Sequence, residues 1–305
     1  MSPNSAWPSP TSISRKLLGN HTLWGTSLAI LLVVVTVTGC RESERAVATN
    51  TLADQGETLA DLLMDADAKQ FAELFPKFKE HGEKGVKRLL AELDRRLADS
   101  ATEEDKEKLA KRQEKLAGRQ ANAAVALLRM GKPEKVWPLL KHSPDPRVRS
   151  YLIHRLGPLG TDARTIVKRL MEEPDVTIRR ALVLSLGEFG RQAFLPGEQE
   201  SLMGKLREWY RTSDDPGLHA AAEWVLRQWK QDEWLKQTER EWVKDRKQRD
   251  ERLQGIRQQL AKGKGSAKPQ WYVNSQGQTM VVIPGPVEFL MGSPTDEAEQ
   301  WDELV

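Results

Sequence analysis

The sequence has almost no cysteine and few histidines, which removes much of the chemistry that a chain of this length could carry out. One cysteine among 305 residues excludes an internal disulfide framework, a cysteine-rich zinc site and a two-cysteine catalytic pair within this chain. The five histidines are too dispersed for metal-ligand spacing, and an isolated histidine on a helix is more often a packing or turn residue. They are His21, His81, His142, His154 and His219.

Catalytic motifs are missing as well. The sequence has no Gly-x-Ser-x-Gly nucleophile elbow, no glycine-rich phosphate loop, no His-Arg-Asp triplet and no Asp-Phe-Gly. No pair of acids stands in an apolar context that would raise a pKa for acid–base catalysis. We therefore predict no catalytic, cofactor-binding or metal-binding residue in this chain, and no cofactor.

The charges of both signs are nearly balanced. Residues 1–40 contain Arg15 and Lys16 and no acid, and the rest of the chain has 45 basic against 44 acidic residues. Because these charges are interleaved, we expect no nucleic-acid partner. Hydrophobic residues make up 39% of the sequence, enough to form a core, and the length favours two domains.

The amino terminus carries an uncharged segment, Leu17–Cys40, behind the two basic residues. Since about 20 apolar residues cross a bilayer, this segment can form a transmembrane anchor with its amino terminus in the cytoplasm. Alternatively, it is an export signal, because Val37–Cys40 resembles the bacterial lipobox, in which the cysteine becomes the lipid-modified first residue. A non-native start is a third interpretation. Under the first two interpretations, residues 1–40 are a signal or anchor that contacts the membrane through residues 17–40, and Cys40 is a possible lipidation site. Both interpretations place residues 41–305 outside the cytoplasm, on the periplasmic or cell-surface side.

A repeat with an offset of 30 residues follows. Asp145–Gly157 and Asp175–Gly187 each begin with aspartate and have leucine at +7 and +11, followed by glycine. Weaker copies run from Asp215 to Leu226 and from Glu44 to Leu52. Paired helices that recur every 30 to 40 residues are typical of HEAT-like α-solenoids, in which neighbouring pairs must stack to bury their apolar faces. Within the two best copies we predict i,i+4 ion pairs, from Asp145 to Arg149 and from Asp175 to Arg179.

Other segments have helical apolar spacing and predict one helical array over about residues 42–230. They are Leu59–Phe78, Gly85–Leu97 and Gln120–Leu140. Four prolines are predicted at helix ends: Pro76, Pro133, Pro138 and Pro174. Ser100 or Thr102 is expected to cap a helix that follows.

Residues 217–262 are expected to form one or two long helices that end the array. We interpret their tryptophans as a cap on the core, with contact to nucleic acid or a membrane surface as the alternative. These are Trp224, Trp229, Trp234 and Trp242. The mixed charges of Lys244–Arg252 indicate a solvated face. We place the helical repeat region at residues 41–262 and a linker at residues 263–269.

The sequence pattern changes to strands in residues 270–305. Gln270–Val273 and Gln278–Ile283 flank the turn-rich Asn274–Gly277 and predict a hairpin, and Val287–Met291 predicts a third strand. Three short strands are only marginally stable alone, so we expect them to open a larger domain.

Met280–Pro294 resembles the opening motif of the formylglycine-generating enzyme (sulfatase-modifying factor) family, with Pro286 where that family usually has a second glycine. Glu297 and Asp302–Leu304 fit the acidic stretch that comes next in many members. Arg41–Lys230 is similar to the helical part of large planctomycete proteins that join a serine/threonine kinase, a membrane span, a HEAT-like region and this domain. The stretches that carry this second resemblance are Asp65–Phe71, His142–Pro146 and Tyr151–Leu156.

The resemblance implies ancestry more than activity. The family oxidises a substrate cysteine to formylglycine with a copper-binding cysteine pair late in the domain, and this chain has Cys40 alone. Copper is thus implied only for a complete, active member, and a kinase part is absent here.

The predicted fold class is mainly α: a HEAT-like α-solenoid after an N-terminal apolar helix, with a short C-terminal β segment that opens an incomplete α+β domain. The predicted function is a membrane-tethered interaction scaffold that binds a protein partner on the solenoid surface and is linked to a truncated domain of this family, without catalysis. The alternatives are a fragment of a formylglycine-generating enzyme or of its kinase-linked version, and a nucleic-acid-binding solenoid.

Overall fold

The computed structural model describes residues 56–80, 82–97, 103–262 and 270–284. Several predictions concern residues outside these ranges. They are the signal or anchor in residues 1–40 with Cys40, the repeat copy at 44–52, the caps Ser100 and Thr102, the linker 263–269, the strand at 287–291, and His21 and His81. Among the described residues, no helix is long and apolar enough to cross a membrane.

The described residues are mainly helical, as predicted. The α-helices are α1 (56–65), α2 (Ala68–Glu80), α3 (Gly82–Asp94), α4 (Glu103–Arg129), α5 (Arg147–Arg155), α6 (Ala163–Glu172), α7 (Val176–Leu186), α8 (Pro196–Thr212), α9 (Pro216–Gln228), α10 (Asp232–Lys244) and α11 (Arg246–Lys262). Short 3₁₀ helices lie at Trp137–Leu140 and Arg191–Ala193.

The helices pack as a stacked array of hairpins. Helices α6 and α7 form one hairpin and α8 and α9 the next, while α5, α7 and α9 lie side by side in one row. The aspartates that open the repeat copies begin helices of this row: Asp175 accepts from the backbone N–H groups of Thr177 and Ile178, and Asp215 accepts from that of Leu218. The predicted helical repeat is therefore confirmed.

The two predicted i,i+4 ion pairs are wrong. Asp145 binds Arg147 instead, with 2.8 Å between Oδ2 and Nη2, and the carboxylate of Asp175 caps α7. Arg149 donates to the carbonyl oxygens of Leu140 and Thr177, and Arg179 donates to that of Glu173. The cause is local: Asp145 is held by the side chain and backbone N–H of Arg147, and the Asp175 carboxylate faces the unpaired N–H groups at the start of α7.

The glycines that close the repeat copies are points of close approach between successive repeats. A Cβ added at Gly157 would lie 2.8 Å from the carbonyl oxygen of Glu188, and one at Gly187 would lie 2.0 Å from a ring carbon of Trp224. The sequence predicts these glycines as helix stops. In the structure they also let the following repeat pack against the helix.

The segment Leu59–Phe78 is divided between two helices. Asp67 accepts from the backbone N–H of Gln70, and the Gln70 side chain accepts from that of Asp67, so a capping box begins α2. The prediction that Pro76 ends a helix is wrong, because Pro76 lies inside α2. Burial of Phe75 and Phe78 on either side of it holds the helix against the core.

The part of the array after residue 216 contains three helices where one or two long ones were expected. The chain turns at Lys230, whose φ is 60°, and again at Asp245, which accepts from the backbone N–H of Gln248 at the start of α11. The tryptophans pack on the core as interpreted: Trp229 is 2% exposed, and the other three are partly buried against the same cluster.

The predicted hairpin is confirmed for its first two strands. Strand β1 (Gln270–Val273) pairs antiparallel with β2 (Thr279–Val282), and Gln270 lies opposite Val282. Gly277 has a φ of 82° in the connecting turn, which glycine adopts without strain. Strand β1 packs on α11, so the hairpin lies directly against the helical array.

Candidate interaction surface

A groove of about 640 Å³ lies between the end of α3, the middle of α4 and the segment that leads into α5. We call it the α4–α5 groove. Its floor is apolar: Leu93, Leu116 and Ala117 are buried there, while Leu97, Leu139 and Val148 are half-buried. Such a volume is within the range of pockets that hold ligands or side chains of a partner.

The side chain of Gln120 builds one wall of the groove. Its Nε2 lies 2.9 Å from the carbonyl oxygen of Glu92 and 3.0 Å from that of Arg95, so it satisfies carbonyls that the end of α3 leaves unpaired. Gln120 is itself buried. It therefore fixes the end of α3 against α4 and keeps the groove wall in place.

The opposite wall is fixed to the next repeat. Arg149 Nε lies 3.0 Å from the carbonyl oxygen of Leu140, and Nη2 lies 3.2 Å from that of Thr177 on α7. The backbone N–H of His142 donates to the Thr177 hydroxyl at 3.0 Å. Burial lowers the pKa of Arg149, and the nearby Arg180 lowers it further. The guanidinium thus holds two repeats together, with no acidic partner in the part of the chain that the structure describes.

The rim of the groove is basic. Arg95, Arg96, Lys141 and Arg149 line it, and Asp145 is the one acid among its described lining residues. An adjoining hollow of about 270 Å³ shares Arg95, Leu97 and Leu116 with the groove. It adds Arg112, Lys115 and Arg119.

Some of these cations are neutralised and others are not. Arg119 contacts Glu92 and Asp61, each at 2.6 Å, and also contacts Asp65. Lys141 lies 3.4 Å from Asp175, and Arg95 lies 3.5 Å from Glu92.

The remaining cations give the rim an excess of positive charge. Arg96 donates to the carbonyl oxygens of Leu93 and Arg95, and Arg149 likewise binds carbonyls. Arg112 and Lys115 have no acidic partner among the described residues. We call Arg96, Arg112, Lys115 and Arg149 the basic rim.

A second cluster lies at the other end of the array. The imidazole of His219 is stacked between Tyr210, at 4.6 Å between ring centroids, and Trp271, at 3.6 Å. Its Nδ1 lies 2.8 Å from the Tyr210 carbonyl oxygen, which can only accept, so Nδ1 carries the proton. Its Nε2 is buried and has no hydrogen-bond partner among the described residues, and burial lowers the pKa of His219.

A small cavity of about 260 Å³ lies beside this cluster, lined by Trp242, Trp271 and Arg252 among others. Arg252 Nε donates to the Trp271 carbonyl at 2.8 Å, and the guanidinium lies 4.0 Å from the centroid of the indole. Burial lowers the pKa of Arg252. These contacts hold the hairpin on the array.

The three histidines that the structure describes lie apart from one another. His142 lines the α4–α5 groove, His154 pairs with Glu188 at 2.6 Å on an exposed surface, and His219 lies in the aromatic cluster. In the part of the chain that the structure describes, no group of three or more His, Cys, Asp or Glu is placed to hold a metal ion. The same residues contain no cysteine, so the copper-binding pair of the formylglycine-generating enzymes has no counterpart among them.

Sequence analysis missed the α4–α5 groove. Basic and apolar residues lie side by side in Arg95–Leu97 and in Arg112–Leu116, and this pattern is a weak signal for such a surface. It was not distinguishable from an ordinary solvated helix face, because the groove is closed by side chains far apart in the sequence.

A family model of HEAT repeats matches residues 133–227, from the turn after α4 to the end of α9. No curated protein and no solved structure matches the chain. The matched region contains the three aspartates that open the repeat copies and the row formed by α5, α7 and α9. The described residues therefore form a helical array that carries HEAT repeats over residues 133–227.

Proposed function

We propose that this protein is a helical-repeat scaffold that binds a partner protein through the exposed surface of its repeats. The observation that carries this proposal is the open α4–α5 groove, in which α3 and α4 form one side and residues 138–149 of the HEAT-repeat match form the other. Stacked helical repeats present extended surfaces that suit protein binding.

The proposal includes a tether to a membrane. Its support is the uncharged segment Leu17–Cys40 behind Arg15 and Lys16, which suits either a membrane span or an export signal. In both cases the repeats act outside the cytoplasm, on the periplasmic or cell-surface side. Cys40 carries lipid in the second case only.

The proposal also links the scaffold to a domain of the formylglycine-generating enzyme family. Its support is the resemblance of Met280–Pro294 to the opening of that domain. The alternative function is that of a fragment of such an enzyme, or of its kinase-linked version, with catalysis and copper binding supplied by residues that this sequence does not contain.

Site-specific photo-crosslinking in the full chain tests the scaffold. We would place p-benzoyl-phenylalanine at Leu139 in the groove and at Met171 and Leu195, which are exposed apolar residues on and beside other helices. A scaffold gives a discrete crosslinked adduct with the same partner from at least one of these positions in cells. If none of the three positions gives an adduct, the scaffold function is wrong.

Sequencing across both ends of the gene, followed by intact-mass measurement, tests the tether and the enzyme alternative. A lipoprotein loses the residues before Cys40 and gains the mass of its lipid, whereas an anchored protein keeps Leu17–Cys40. A reading frame that continues into a domain with a cysteine pair favours the enzyme alternative. A stop after Val305 together with a matching mass favours the scaffold.

A further inference from the structure

We propose that the α4–α5 groove binds an extended acidic segment of the partner protein, in which carboxylates alternate with apolar side chains. This inference rests on the proposed scaffold function and names the chemistry of its partner. It depends on three features of the groove: its excess of positive charge, its apolar floor and the absence of Trp, Tyr and Phe from its described lining.

The first argument is charge complementarity. The basic rim has four cations without an acidic partner among the described residues, and Asp145, the lining acid, is held by Arg147. Arg149 is fixed by two carbonyls and keeps its charge in a half-buried position. A partner that brings carboxylates supplies the missing counter-charges, and complementary charge both speeds association and selects against wrong partners.

The second argument is the shape of the groove and its apolar floor. Leu97, Leu139 and Val148 are half-buried between the basic side chains. An extended peptide presents successive side chains on opposite sides, so alternate residues can enter the floor while those between them face the rim. Apolar burial then adds to the ionic contacts.

The residues that line the groove favour a protein segment over a nucleic acid as its ligand. Single-stranded nucleic acids are bound by basic grooves in which aromatic side chains stack on the bases. No Trp, Tyr or Phe lines the groove or the adjoining hollow in the part of the chain that the structure describes. A leucine-rich floor matches aliphatic side chains of a peptide better than it matches bases.

The test measures fluorescence anisotropy with the full chain and three labelled decapeptides, in which leucine alternates with glutamate, glutamine or lysine. We expect the glutamate peptide to bind, the glutamine peptide to bind about tenfold or more weakly, and the lysine peptide to be weaker still, because charge selects the partner. Equal binding of the glutamate and glutamine peptides would overturn the proposal.

Charge reversal at the rim locates the site. The double variant Arg96→Glu with Arg112→Glu breaks no ion pair with a described residue. We expect it to lower the affinity for the glutamate peptide by about tenfold or more. The matched control, Lys69→Glu with Lys77→Glu on α2, makes the same change in net charge away from the groove and should leave binding unchanged. Leu97→Ser should weaken binding with no change in charge. Thermal melts of every variant exclude unfolding as the cause.

Other occupants are outcomes of the same measurements. A labelled ten-residue oligothymidylate that binds more tightly than the glutamate peptide, with a steeper salt dependence, would make the groove a nucleic-acid surface and overturn the proposal. If the protein self-associates in sedimentation and the double variant Arg96→Glu with Arg112→Glu abolishes this, the groove binds a second copy of the chain and the proposal is overturned. Crosslinks from Met171 or Leu195 without peptide binding would leave the scaffold standing and reject the acidic segment alone.

Discussion

The imidazole of His219 on α9 lies nearly parallel to the indole of Trp271 on β1, with an angle of 19° between the ring planes and 3.6 Å between the centroids. The Trp271 indole N–H also donates to the carbonyl oxygen of Ser213 at 2.7 Å. The hairpin is thereby fixed to the last helices of the array. A segment that the sequence analysis assigned to the opening of a further domain is part of the packing of the helices.

Removing this indole should destabilise the helical array as well as the hairpin. Trp271→Ala leaves a cavity beside His219 and Trp242, and we expect it to lower the free energy of unfolding by about 3 kcal/mol or more. Guanidinium denaturation followed by far-UV circular dichroism, which reports on the helices, measures this loss. Met280→Ala on the exposed side of β2 is the matched control, and equal effects of the two variants would show that the hairpin does not support the array.

The stability of this cluster should depend on pH. Burial lowers the pKa of His219, and Arg252 lowers it further, while the hydrogen bond to Tyr210 and the charge of Glu223 act in the opposite direction. Because the folded-state pKa lies below the unfolded value, the unfolded chain binds the proton more readily as pH falls below about 6.5. The contribution to stability is therefore complete above that pH and is lost as pH falls through the folded-state pKa.

Urea midpoints measured between pH 7.5 and pH 5 test this dependence. His219→Phe keeps a flat ring of similar size and removes the titration, so its midpoint should fall less than that of the wild type. His142→Asn, at an exposed residue, controls for the loss of a histidine elsewhere. Parallel curves for wild type and His219→Phe would assign the pH dependence to other groups.

Periodic features of the sequence predicted the periodic features of the fold. The spacing of Leu152 and Leu156, repeated at Leu182 and Leu186, indicated stacked helices because helical packing requires the same face of each repeat to be apolar. All four are fully buried. The Asn274–Gly277 turn predicted the hairpin by the same kind of local rule.

Contacts between residues that are far apart in the sequence could not be predicted from its periodicity. Asp145 and Arg149 stand at ion-pair spacing, yet Asp145 binds the neighbouring Arg147, and Arg149 donates to the carbonyl oxygens of Leu140 and Thr177. The α4–α5 groove depends on Gln120 and Arg149, whose side chains reach carbonyls across different helices. A single sequence records the residues but not which carbonyls the fold places beside them.

The ion-pair network of the first helices gives a further prediction. Glu92 is fully buried on α3, and Arg119 on α4 contacts it at 2.6 Å. Arg119→Met removes its closest counter-charge, because Arg88 and Arg95 lie 3.4 and 3.5 Å away. Because Glu92 keeps these two weaker partners, the cost should be below the about 3–5 kcal/mol of a buried charge left unpaired, and we expect a loss of about 1–3 kcal/mol in chemical denaturation.

The control for this network is Arg112, which has no acidic partner among the described residues and whose change to methionine should shift stability by less than about 0.5 kcal/mol. Combining Arg119→Met with Glu92→Met removes both charges and should recover much of the loss, since an apolar pair can replace a buried ion pair. A double variant no more stable than Arg119→Met would show that packing, and not the unpaired charge, caused the effect.

Two glycine-to-alanine changes should have opposite effects because their surroundings differ. At Gly187 a new Cβ would overlap the Trp224 ring of the next repeat, so Gly187→Ala should lower stability by about 1–3 kcal/mol. At Gly204, inside α8, nothing lies within 4 Å of the new Cβ, so Gly204→Ala should raise stability by about 0.5–1 kcal/mol through helix propensity. Thermal melts of both variants test the pair together. A neutral or stabilising Gly187→Ala would contradict this prediction. It would show that the two repeats do not depend on the close contact between Trp224 and Gly187 to pack together.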